Sequence, residues 1–160
     1  MASLPQMIDD YLAGPRTLRK AVAGMSREQA LARPVPGKWS TLECVCHLSD
    51  FEPIMADRMK RIIALDRPSL IGADETRFAA TLVYQERDLE EELQIFELTR
   101  KQLARILRTL PASALERVGI HNERGPRTLE QILTGTTDHL THHVKFIHEK
   151  RKALGLPAAQ

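Results

Sequence analysis

Residues 39–65, WSTLECVCHLSDFEPIMADRMKRIIAL, decide the fold. Ser40-Thr41-Leu42-Glu43 matches the S/T-x-x-E capping box, in which two amides at a helix start are satisfied by side chains. Behind it, Leu42, Val45, Leu48, Met55, Met59, Ile62 and Ile63 fall at helical spacing and line one apolar face. The spacing predicts a helix to about Leu65, and Pro68 closes it.

The same signals recur on both sides. Leu4, Ile8, Tyr11, Leu12, Leu18 and Val22 predict a helix from about Leu4 to Met25, with a kink or break at Gly14-Pro15. ARPVPGK at 32–38 is a turn-rich connection, and residues 66–80 read as irregular or as a short turn. A third helix is expected from about Leu82 to Leu110. Glu86, Asp88, Glu90, Glu91 and Glu92 lie near its start and Arg100, Lys101, Arg105 and Arg108 towards its end. That polarity complements the helix dipole, so the acidic run reads as a solvated helix start rather than a metal site. After Pro111, the loop VGIHNERGPR leads to a second capping box, Thr128-Leu129-Glu130-Gln131. The last helix runs to about Leu154, with Gly155 as its left-handed stop and Pro157 beyond. Four helices of about 22–29 residues make an all-α four-helix bundle without a sheet. The connections at 26–39 and 111–127 are long enough to cross the bundle.

The chain has 160 residues, with 23 Lys+Arg against 21 Asp+Glu and 42% hydrophobic residues. Those values fit one domain over 1–160 with its own core and exclude global disorder. The balanced charge gives no polyanion-binding signature, so no nucleic-acid partner is expected. No apolar stretch approaches the roughly 18 residues that span a bilayer, and the start shows no secretory signal. The expectation is a cytoplasmic protein without a membrane partner. Cys44 and Cys46, two apart on a helix, point about 200° apart and cannot close a disulfide. They read as small buried hydrophobes, with a thiolate ligand open to at most one.

Four of the six histidines fall in TDHLTHHVKFIHEK, residues 137–150. His139 and His143 share a helix face about 6 Å apart, the spacing with which one helix offers two imidazoles to an ion. The glutamate of an HExxH site is absent, because Leu140 follows His139. His142 lies off that face. A third ligand would come from a facing helix, and His47 is the candidate. Glu43 and Asp50 flank it at i−4 and i+3, where a carboxylate orients a ligand imidazole or acts as acid or base. Three imidazoles leave positions free for water or substrate. The bland alternative is a chance pair on an amphipathic helix. His148 reads as a surface cation and His121 as a loop residue, while Trp39 either plugs the bundle end or lines the mouth of the site.

Trp39-Ser40-Thr41-Leu42-Glu43 followed by His47-Leu48 resembles the W-S-x-x-E-x-x-x-H-L hallmark of the DinB-like superfamily. Phe96 to Arg100 resembles that family's F-x-x-x-R. Thr128 to Leu133, then His139 and His143, resembles its closing T-L-x-x-L-L…H-x-x-x-H. The resemblance covers nearly the whole chain. It implies a bundle of unusual connectivity and a divalent ion, nickel or zinc, on His47, His139 and His143. It further implies a metal-dependent enzyme acting on a small-molecule substrate, such as an S-transferase or isomerase using a low-molecular-weight thiol, and a homodimer. A non-catalytic metal-binding or interaction module and a metal-dependent hydrolase are the alternatives. The hydrolase would need a carboxylate beside the reacting water.

Overall fold

The computed structural model describes residues 2–158. In chain order its helices are α1 (Leu4–Val22), α2 (Arg27–Leu31), α3 (Thr41–Ala64), α4 (Glu75–Thr81), α5 (Leu89–Leu107) and α6 (Leu129–Ala153). The four long ones, α1, α3, α5 and α6, form the bundle.

Local sequence explains their ends. Ser40 Oγ accepts from the Glu43 amide at 3.1 Å while Glu43 Oε2 accepts from the Ser40 amide at 2.6 Å, closing the box that starts α3. Thr128 and Gln131 do the same for α6. At the far end of α6, Leu156 N–H donates to Arg151 and Gly155 N–H to Lys152. Gly155, at φ 68°, makes that left-handed stop possible. α5 begins at Leu89 rather than near Leu82. Asp88 caps it by accepting from the amides of Glu90 and Glu91, and a 3₁₀ turn at Tyr84–Glu86 precedes it. Glu90 and Glu91 are solvated as expected, but Glu92 turns inward and is buried against Ser49 and Arg87.

α1 runs unbroken through Gly14-Pro15, where a kink or break was expected. Pro15 has no N–H, which leaves the Tyr11 carbonyl without its helical donor. Arg100 Nη1 supplies the bond at 2.8 Å. A Cβ on Gly14 would lie 1.9 Å from that same Nη1, so a larger residue before the proline would have to displace the guanidinium.

One expectation needs correction: a small sheet exists. β1 (Ser69–Leu70), β2 (Val118–His121) and β3 (Gly125–Thr128) are ordered β1-β2-β3, with β1 parallel and β3 antiparallel to β2. The stretch read as a loop is therefore a hairpin, registered Val118 to Thr128 and His121 to Gly125. Gly125, at φ 68°, serves its turn. The bundle remains the fold, because the sheet only closes one end of it.

Each long helix packs against two others: α3 on α5 and α6, and α1 on α5 and α6. The first and second long helices are thus diagonal, as are the third and fourth, so both long connections cross the bundle. One core layer joins Leu4, Met7 and Ile8 to Met59, Ile62, Leu103, Leu107, Leu129 and Leu133. A second joins Leu18 and Val22 to Val45, Leu48, Leu93, Phe96, Leu140 and Ile147, and a smaller third gathers Ala30, Leu42, Cys46 and Tyr84. The start of α1 therefore meets the end of α3 and α5 and the start of α6. Between the two large layers, fully buried Arg100 donates to Glu52 Oε2 at 3.0 Å and to the Thr136 carbonyl at 3.2 Å, and the Tyr11 hydroxyl donates to Glu52 Oε1 at 2.5 Å. The guanidinium also lies 4.4 Å and 4.3 Å from the ring centres of Tyr11 and Phe96. One polar cluster so ties all four helices together. Among the described residues, no helix is long and apolar enough to cross a membrane.

Candidate metal centre

His47 projects from the second turn of α3, and His139 and His143 from the middle of α6, the helix packed against it. Each offers one nitrogen, and the three atoms lie within 4.8 Å of one another. His47 Nε2 and His139 Nε2 are 2.9 Å apart. Bonds of about 2.0–2.1 Å from a tetrahedral zinc set donor atoms about 3.3 Å apart, which falls inside that spread. The buried Nδ1 atoms of His47 and His143 have no hydrogen-bond partner among the described residues, so protein groups alone do not satisfy the cluster. The donor set fits a divalent ion.

Burial keeps the cluster neutral. It pushes His47 down to about 3, with the neighbouring His139 adding to the effect. Burial likewise lowers His143 to about 3, and His139 to about 4 with His142 and Arg100 contributing. A neutral imidazole is the metal-ligating form, so these rings need not lose a proton to bind.

His139 and His143 line a cleft of about 360 Å³ whose lining also includes Trp39, Cys44, Glu75, His142, Phe146 and Lys150, while His47 is fully buried against these two histidines. Trp39 lines the mouth, 5.2 Å from the His47 ring and stacked 6.4 Å from that of His143. His142 is exposed, packs on Phe146 at 4.7 Å and stays outside the triad, as the helical spacing implied. His148 is exposed. His121 belongs to β2 rather than a loop, buried with its Nδ1 accepting from the Glu123 amide. Cys44 and Cys46 are both free and buried.

The two carboxylates singled out from spacing are engaged elsewhere. Glu43 holds the Ser40 amide and takes both Arg33 nitrogens, at 2.5 Å and 3.0 Å, which holds its carboxyl below the usual range against the opposing effect of burial. Asp50 pairs with Arg87 at 2.8 Å. Neither hydrogen-bonds an imidazole of the triad among the described residues. Sharing a helix face with His47 placed them near it, but the cap and the arginines turned them away. The carboxylate that does approach is Glu75, whose Oε2 lies 3.9 Å from His47 Nε2. It sits at the start of α4, in a segment read as irregular. The signal available was Asp74, whose side chain caps that short helix through the Arg77 amide.

The chain matches known proteins over most of its length. The family model of the DinB superfamily matches residues 11–147, and the chain belongs to that superfamily. A protein of Oceanobacillus iheyensis named "Putative metal-dependent hydrolase" is 26% identical over 133 residues, 83% of this chain and 77% of that one. One of Geobacillus thermodenitrificans with the same name is 28% identical over 143 residues, 88% of this chain and 80% of its own. The structure of YfiT from Bacillus subtilis, described as "a probable metal-dependent hydrolase with an unusual four-helix bundle topology", superposes with a TM-score of 0.90 at 24% identity. The match covers 98% of this chain and 92% of that one, and the diagonal helix order above is shared fold.

Proposed function

We propose that the protein is a metal-dependent hydrolase in which His47, His139 and His143 hold a divalent ion, nickel or zinc, and Glu75 handles the proton. One observation carries this reading: the Glu75 carboxylate stands 3.9 Å from His47 Nε2 and lines the same cleft as His139 and His143. The names of the relatives point the same way. When bound, such an ion polarises a carbonyl or phosphoryl oxygen and acidifies water.

The chain's own groups supply the rest. Glu75 is well exposed, so water and its carboxylate can meet beside the triad. The carboxylate takes a proton as the water oxygen bonds to the electrophilic centre, then returns it to the departing group as the scissile bond breaks. Trp39, Phe51 and Phe146 wall the reacting region with apolar surface, Phe51 lying 4.5 Å from the His47 ring. Arg100, bonded to the Thr136 carbonyl one turn before His139, steadies the helix that carries two of the ligands. Thiol transfer lacks a corresponding observation in this cleft, and an opening lined by exposed Lys38, Glu75 and His142 disfavours a sealed structural ion.

The test is a panel of aryl esters, lactones, amides and phosphodiesters, run on metal-stripped protein and after zinc or nickel is restored. Hydrolysis that returns with metal and falls in Glu75→Gln supports the reading. Turnover of an electrophile only when a low-molecular-weight thiol is added overturns it.

A further inference from the structure

Lys150 is the one buried lysine or arginine in the cleft lining, and the hydrolytic scheme leaves it unused. It lies on the last turn of α6 and is 2% exposed, yet it lines the triad cleft. Its ammonium has three donors; the Phe146 carbonyl accepts one at 3.1 Å, and the neutral Cys44 sulfur beside it is only a weak acceptor. No carboxylate among the described residues lies within 4.0 Å. Its neighbour Arg151 is also buried but makes four hydrogen bonds, to the carbonyls of Ala21, Ala23 and Pro157. Lys152, on the same turn, is exposed. A cation that only complemented the helix end would sit as Lys152 does, in water.

A buried charge is ordinarily paired. Cys44, beside Lys150 in the cleft, does not provide the anion, because burial pushes its thiol up and keeps it protonated. Lys38, at the rim, adds a second ammonium: its Nζ and that of Lys150 each lie 5.7 Å from the centre of the Phe146 ring. Glu75 is the one acidic residue in the lining, against these two lysines.

We propose that Lys150, assisted by Lys38, forms an oxyanion subsite beside the histidine triad, so that the substrate carries a carboxylate or phosphate group next to the bond that is cleaved. The substrate's anion supplies the missing counter-charge, and Phe146 and Trp39 take its apolar part. This rests on the triad cleft being the site of turnover, but the subsite is tested by binding alone.

Benzoate, its uncharged analogue benzamide and inorganic phosphate are titrated into zinc-loaded protein and followed by calorimetry, with zinc content checked by elemental analysis. Wild type is expected to bind benzoate at least tenfold tighter than benzamide. Lys150→Met should remove that preference while zinc stays bound, Lys150→Arg should restore most of it, and Lys38→Met should weaken it two- to threefold. Phosphate that displaces benzoate with equal or higher affinity supports the same subsite and marks phosphate as its ligand. Lys150→Met removes a buried charge and keeps the length of the chain, so it should fold. If it folds, keeps its zinc and binds benzoate as wild type does, the proposal is overturned. Absence of hydrolysis across the substrate panel, with the benzoate preference intact, would count against the hydrolase reading and leave the anion subsite standing.

Discussion

Arg100 donates to the carbonyl oxygen of Tyr11 at 2.8 Å, the same carbonyl that Pro15 deprives of its helical N–H. The arginine therefore repairs a helix in a different part of the chain while neutralising Glu52 in the middle of the bundle. Removing one partner of such a buried pair strands the other, at a cost of about 3–5 kcal/mol. Arg100→Ala should lower unfolding free energy by about that amount in a urea titration. A loss below about 1 kcal/mol would show that the cluster does not tie the helices together.

Gly14→Ala should destabilise by a related route. The new methyl would meet Arg100 Nη1 at 1.9 Å and Leu140 Cδ2 at 2.7 Å, two side chains fixed in the core. Overpacking of that kind costs about 1–3 kcal/mol. Alanine is the better helix former in solvent, so an unchanged or raised melting temperature would mean that the guanidinium can move aside.

The two adjacent histidines of α6 should separate cleanly. His143→Ala is expected to weaken zinc binding at least tenfold, because a ligand is lost, whereas His142→Ala should leave it within about threefold. Chelator competition measures both. The reverse ranking would move the ligand to His142 and break the i,i+4 pairing with His139.

Glu75→Gln keeps shape and removes the proton acceptor. On whichever substrate the panel returns, kcat should fall by about 10²–10⁴-fold, the usual share of a general base, while zinc affinity stays within about threefold. Glu43→Gln and Asp50→Asn should instead leave kcat within about threefold and lower stability, since their partners are Arg33 and Arg87. If Asp50→Asn abolishes turnover and Glu75→Gln does not, the proton path runs through α3.

Legibility followed the range of the interactions. The starts of α3 and α6 could be read because a capping box spans four residues, and His139 with His143 because one helix fixes their spacing. His47 could be paired with them through motif order along the chain. Glu75 could not be found this way: α4 has seven residues and none is buried, so it has no apolar face to announce it. The strands are two to four residues long and carry Gly119, Gly125 and Pro126, which read as a loop until β1 pairs with β2 from far away in sequence. Lys150 is one of three basic residues in the last turn of α6, and only packing separates its buried ammonium from the exposed one of Lys152. Glu43 and Asp50 failed for the opposite reason. Their helical positions were right, and tertiary arginines decided where the carboxylates went.

The same burial that hides the histidines sets how zinc uptake depends on pH. An imidazole of ordinary pKa, near 6.5, is about nine-tenths protonated at pH 5.5, so three of them would weaken binding by about a thousandfold. Here the rings are lowered to about 3, 4 and 3 for His47, His139 and His143. Each is then almost wholly neutral at pH 5.5, and protons compete with zinc only as the pH nears 4. The sign for stability follows from the same shifts. Between pH 6.5 and about 4 the unfolded chain takes up protons on these histidines and the folded, metal-free chain does not, so their contribution to stability falls as the solution is acidified. Zinc affinity, measured against a chelator of known proton affinity, should therefore change by less than about threefold between pH 7.5 and 5.5 and collapse below pH 4. A hundredfold fall already at pH 5.5 would mean that the triad is wetter than its packing against Trp39 and Phe51 implies.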